Sequence, residues 1–154
     1  MRVICNIFGI MAVTWMLTAC AGWSKQEIGL EVAYTVLHVA DWGQTRYIAG
    51  HPAEPARSKP FDGKRVEPGT VRPAKDGYEE INPILGRHPS KSKVDLYFGA
   101  NLLAHWIIAD LLPNNAAWPL VGKVNPRKIF QAATITIQAT TVAYNASIGV
   151  EFEF

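Results

Sequence analysis

Two acids and two histidines are spaced so that a helical fold can bring them together. His38 and Asp41 are three residues apart, Glu80 follows a long polar stretch, and His105 sits inside a later apolar segment. Residues three apart on a helix share a face. Carboxylate and histidine side chains that project inward from facing helices are the ligands of metal-binding bundles. The chemistry to expect is capture of a divalent cation such as Zn²⁺ by His38, Asp41, His105 and Glu80, with Glu79 and His88 nearby in the sequence. The same groups also suit a proton or ion path. A purely structural role is a further alternative, with Asp41 and His105 hydrogen-bonded between helices to fix their packing. No other feature calls for a cofactor. The sequence has no Gly-x-Ser-x-Gly elbow, His-Glu-x-x-His pair, Walker loop or dinucleotide fingerprint, so nothing positions a nucleophile or a phosphate.

Three segments must position these groups. The first helix is expected from about residue 25 to 49, opened by Ser24-Lys-Gln-Glu27, where the serine and glutamate form a capping box. Gly50 and Pro52 end it. Its polar residues Glu31, Thr35, His38, Asp41 and Thr45 step by three or four and so share a narrow face. A second helix is expected over about 93–112, with a cap at Ser92 and Asp95 and a stop at Pro113; its interior is apolar apart from Asn101 and His105. Asn125-Pro126 starts a third, about 126–147, along which Gln131, Thr134, Gln138, Thr141 and Asn145 form one stripe. The β-branched run Thr134-Ile-Thr-Ile is also compatible with a strand. Asn101, Gln131, Gln138 and Asn145 are thus the expected buried polar seam beside the His–Asp cluster.

Between the first two helices, residues 51–92 form a long irregular polar loop. Seven of the ten prolines and nine of the fifteen Lys and Arg residues lie between His51 and Lys93. Turn signals at Asp62-Gly63, Pro68-Gly69 and Asp76-Gly77 predict a hairpin around Val66–Val71, and Asn82-Pro83 predicts a single helical turn closed by Gly86. A net charge of +2, with bases and acids interleaved, argues against a nucleic-acid partner.

The helices show broad apolar surfaces and thin polar seams, the reverse of a surface helix. This predicts an all-α transmembrane bundle of three helices, with Trp42, Tyr47, Tyr97, Trp106 and Trp118 as interfacial aromatics and the basic loop in the cytoplasm. The alternative is a tethered bundle outside the bilayer, its apolar surfaces packed together. The tail Ile148–Phe154 alternates like the last strand of an outer-membrane barrel, but the strands needed to close one are missing from the sequence.

The start of the chain has the form of an export signal: Arg2, an apolar run from Val3 to Leu17, and a small-residue exit. Leu17-Thr18-Ala19-Cys20 resembles the lipobox of bacterial lipoproteins. The resemblance implies a signal peptide over 1–19, lipid on Cys20 and a single mature domain over 20–154. The other cysteine, Cys5, lies within that signal, leaving no thiol pair for a disulfide or a metal. Further on, Asp41-Trp-Gly-Gln-Thr45 and Glu80-Ile-Asn-Pro-Ile-Leu-Gly-Arg-His-Pro-Ser90 resemble small uncharacterised helical membrane proteins of bacteria and their phages. That resemblance implies a helical membrane protein and no particular activity. The combined expectation is a small envelope protein at the inner membrane, lipid-anchored at Cys20, with a structural role or one in binding a protein partner through the Pro-rich loop. Its alternative is metal or ion binding at the His–Asp cluster.

Overall fold

Ser24 opens the first helix, α1 (Lys25–Gly50), as the capping box predicts. Its hydroxyl accepts from the Glu27 amide at 3.3 Å, and the Glu27 carboxylate accepts from the Ser24 amide at 2.7 Å. In this computed structural model, which describes residues 22–51, 71–74, 77–118 and 122–154, the next elements are β1 (Val71–Ala74) and β2 (Gly77–Glu80). They pair antiparallel, Val71 opposite Glu80 and Ala74 opposite Gly77. Asn82 then builds a tight turn: its side-chain oxygen accepts from the Ile84 amide, and its carbonyl accepts from the amide of Gly86. Gly86 has φ +79°, a conformation that costs a residue with a Cβ. The second helix, α2 (Lys91–Leu111), is capped by Ser90, and Pro113 follows its end. A short hairpin of β3 (Ala116–Trp118) and β4 (Gly122–Val124) leads to α3 (Pro126–Ser147), capped by Asn125 with Pro126 in its first turn.

Contacts along the helices fix their directions. α2 runs antiparallel to α1, since Asp95 meets Trp42 near the end of α1 and Asp110 meets Trp23 before its start. α3 runs parallel to α1, with Gln131 beside Glu27 and Asn145 beside Asp41. The helix α1 packs against both neighbours, most extensively against α3, while α2 and α3 touch little. Apolar packing is concentrated around the C-terminal half of α1. One cluster joins Tyr47, Ile48, Tyr78, Ile148 and Val150; another joins Leu85, Val94 and Phe98, with Trp42 and Tyr97 against it. The Tyr78 hydroxyl donates to the Ile148 carbonyl at 2.8 Å, so β2 is held against the end of α3. The final residues fold back over α1: the Glu153 amide donates to the Gly43 carbonyl, and the Glu153 carboxylate pairs with Lys91.

Several expectations are corrected. Among the described residues no helix is long and apolar enough to cross a membrane. Charged groups recur along α1 and at both ends of α2, and α3 is rich in Thr and Gln. No stretch therefore keeps the sustained apolarity that a span needs. The transmembrane bundle is overturned, and with it the inner-membrane location and the cytoplasmic placement of the basic loop that rested on spanning helices. Tyr47 is a core residue instead of an interfacial one. The chain is not purely helical, because it carries two hairpins. The helix α2 begins earlier than expected, because Ser90 and not Ser92 supplies the cap. A hairpin lies at 71–80, its two strands flanking the Asp76-Gly77 signal, while the hairpin expected around Val66–Val71 falls almost wholly outside the described residues, as do Asp62-Gly63, Pro68-Gly69, the export signal and Cys20. Thr134–Gln138 is helical, and the alternating tail 150–154 forms no strand.

Candidate functional site

The polar face of α1 is turned inward, and Glu27, Glu31, His38 and Asp41 each meet a group from α2, α3 or the cap of α3, whereas the buried Thr45 hydroxyl has no hydrogen-bond partner. At the N-terminal end, Glu27 is buried yet held below the usual carboxylate range. Burial opposes the charge, but hydrogen bonds from Ser24 and Asn125, together with the Arg127 guanidinium, outweigh it. Arg127 is itself fixed by the carbonyls of Ala109 and Asp110 at the end of α2. One turn on, Gln131 Nε2 donates to the Glu31 carboxylate at 2.9 Å and to the Glu27 carbonyl at 3.1 Å. His105 Nε2 stands 3.4 Å from the same Glu31 oxygen. The His105 ring is sandwiched between Tyr34, at a centroid distance of 3.4 Å, and Phe130, at 4.7 Å.

His38 comes next. Its Nε2 donates to the Phe98 carbonyl at 3.0 Å, which leaves Nδ1 to accept from the Tyr34 hydroxyl at 3.4 Å. Burial lowers the His38 pKa, the Phe98 contact opposes that, and nearby His105 lowers it further. A neutral ring with this tautomer follows. Both ring nitrogens are engaged within the protein, so His38 has no lone pair to give a metal.

Beyond His38, α1, α2, α3 and the turn after β2 enclose a cleft of about 160 Å³. Asp41 and Glu80 both line it, and both are almost wholly buried. Asp41 accepts from Gln138 Nε2 at 2.7 Å and from Asn145 Nδ2 at 3.4 Å. Burial nevertheless pushes its pKa up to about 6. Glu80 accepts from the Asn82 amide at 2.9 Å. Its pKa is pushed up to about 7, mainly by burial and also by the charge of Asp41, against the pull of the Asn82 bond. The two stretches Asp41–Thr45 and Glu80–Ser90, separate in sequence, thus meet at one place.

The expected metal quartet is divided by the fold. His38, Asp41 and Glu80 line the cleft, whereas His105 turns to Glu31 in the layer below. Among the described residues no three His, Cys, Asp or Glu side chains come together to hold a metal ion. Asp41 and His105 do not bond across the bundle; Asp41 is held by α3 and His105 by α1. Of the expected seam, Gln131, Gln138 and Asn145 face α1. Asn101 does not: it is exposed and folds back on the Tyr97 carbonyl, although it borders the cleft. Glu79 is partly exposed and His88 fully so. Sequence reasoning missed Tyr34, Tyr97 and Phe98 as site residues. Tyr34 lies four residues before His38, a spacing that stacks side chains on a helix, while Tyr97 read as an interfacial aromatic and Phe98 as part of the apolar surface of its helix.

With the polar groups turned in, aliphatic side chains are left outside. Ile28, Val32, Val36 and Val39 on α1, Leu96, Leu103, Ile108 and Leu111 on α2, and Ile129 and Ile137 on α3 are exposed; Val36 is 63% exposed, Leu111 78% and Ile137 66%. Comparison of the chain with protein-family models, with curated proteins and with solved structures finds no match.

Proposed function

We propose that the chain is a structural, partner-binding subunit whose helices are covered by another protein in the working assembly. The observation that carries this reading is the inversion of the helices: ten large aliphatic residues are exposed on three helices that bury Glu27, Glu31, His38, Asp41, Gln131 and Asn145 between them. Soluble monomers rarely expose contiguous apolar patches beyond a few hundred Å², and larger ones mark interaction surfaces. Apolar area gains about 25 cal/mol per Å² when it is covered, so an apolar partner surface is what these faces select. The Pro-rich segment 52–70 lies outside the described residues, and the reading therefore rests on the helices alone.

The test is sedimentation analysis of the purified chain beside Val36→Glu and Leu103→Glu variants. A discrete oligomer, or a stoichiometric complex with one protein, that is dissolved by these exposed and individually unstrained substitutions is the expected result. A chain that stays monomeric over a wide concentration range, with no bound protein and no response to either substitution, would overturn the reading.

A further inference from the structure

The cleft between the helices has a chemistry that partner binding does not use. We propose that it is a binding site for a small organic cation, an ammonium or guanidinium group, held by the Asp41 and Glu80 carboxyls with Tyr97 alongside. Among the described residues two carboxyls line the cleft and no lysine or arginine does. Of the described basic groups nearby, Arg46 pairs with Asp95, Lys91 with Glu153, and Lys93 with the Leu85 carbonyl. Among the described residues the two carboxyls thus share the cleft without a cation beside them, an arrangement that a bound cation relieves.

Accounting for donors and acceptors leads to the same class of ligand. One N–H of the Gln138 amide goes to Asp41, and one of the Asn101 amide to the Tyr97 carbonyl. His38 Nε2–H is spent on the Phe98 carbonyl. The charged groups of the described lining are the two carboxyls, which suits a ligand rich in N–H and repels an anion. Tyr97 belongs to the same lining and is not stacked face to face on another ring, and a cation near an aromatic face gains further stabilisation once water is excluded. A bare metal ion is disfavoured for two reasons: among the described residues no three ligating side chains converge, and the His38 nitrogens are occupied. The volume of about 160 Å³ equals the space of roughly five waters. It admits an alkylammonium or guanidinium ion and excludes a nucleotide or an oligosaccharide.

The test titrates the full protein near neutral pH with methylammonium, tetramethylammonium and guanidinium chlorides, with Zn²⁺, Ca²⁺ and acetate as competing classes. Binding is followed by the NMR signals of the Gln138 and Asn101 side-chain amides. Saturable millimolar or tighter binding of at least one organic cation is expected, with shifts centred on those amides. Asp41→Asn and Glu80→Gln should each weaken it about tenfold, the loss of roughly 1.4 kcal/mol. Tyr97→Leu, which leaves both carboxyls in place, should weaken the organic cation selectively. Because two of these variants are near-isosteric, folding is checked by their amide spectra. Should Asp41→Asn fail to fold, Glu80→Gln and Tyr97→Leu still decide. Tighter binding of Zn²⁺, Ca²⁺ or acetate, shifts that avoid the cleft, or no saturable organic-cation binding would overturn the proposal. It is independent of the subunit reading, since either can fail while the other stands.

Discussion

Asp41 and Glu80 are carboxyls whose environment favours the protonated form, and the consequence for stability has a definite sign. Their ordinary values are 3.8 and 4.5, and in the folded chain they lie at about 6 and about 7. Between those limits the folded state binds more protons than the unfolded state, so stability falls as pH rises. The contribution is complete below about pH 4 and is lost as pH climbs through 6 and 7. For Glu80 alone the linkage is on the order of 3 kcal/mol. In the absence of any added cation, the urea midpoint is expected to drop between about pH 5 and pH 8, and Glu80→Gln should flatten most of that slope. Glutamine keeps the oxygen that accepts from the Asn82 amide, so the variant should be the more stable chain at the alkaline end. A wild-type midpoint that rises over the same interval would contradict the placement of these carboxyls.

Between elements, the junction of α1 with α3 depends on amides that reach into buried carboxylates. Gln131 is fully buried and supplies the hydrogen bonds to Glu31 and to the Glu27 carbonyl. Gln131→Leu conserves volume but removes both bonds and leaves a buried carboxylate beside His105 alone. It should cost about 2–3 kcal/mol in denaturant unfolding. Ser24→Ala, which removes only the cap of α1, should cost about 1 kcal/mol. If the two costs came out equal, the seam would not be the stronger fastening. The C-terminal tail is a lighter attachment. A Cβ on Gly43 would stand 2.7 Å from the ring of Phe154, which is itself mostly exposed and can move aside. Gly43→Val should therefore loosen the tail with little loss of global stability, seen as faster hydrogen exchange at the Glu153 amide.

At the scale of the whole molecule, the helices of this fold are wrapped around a core of charges and amides, with apolar packing gathered at one end. Such a chain gains stability whenever its outer faces are covered, because binding to the folded form alone shifts the unfolding equilibrium. If a second copy provides the cover, the melting temperature should rise with protein concentration, and Val36→Glu should remove that dependence. A melting temperature independent of concentration would leave a different protein as the partner to be sought by the sedimentation test.

Much of this was legible in the residues themselves. The boundaries of α1 and α3, the Ser24–Glu27 cap, the Asn82–Gly86 turn and the inward stripe of α1 follow from local rules of capping, periodicity and turn geometry, and these act over a few residues. The choice of partners across the bundle did not follow. Periodicity puts His105 on the face of α2 that meets α1, but the axial register of the two helices decides whether it meets Asp41 or Glu31. That register is set by Phe98 against His38 and by Asp95 against Trp42 and Arg46, contacts between residues about fifty or more apart. Glu80 likewise reaches Asp41 only because Tyr78 is fastened to the end of α3. The inverted polarity of the helices was visible in the sequence as well. Whether they are apolar enough to cross a bilayer depends on sustained hydropathy along each one, and there the charged groups outweigh the aliphatic faces.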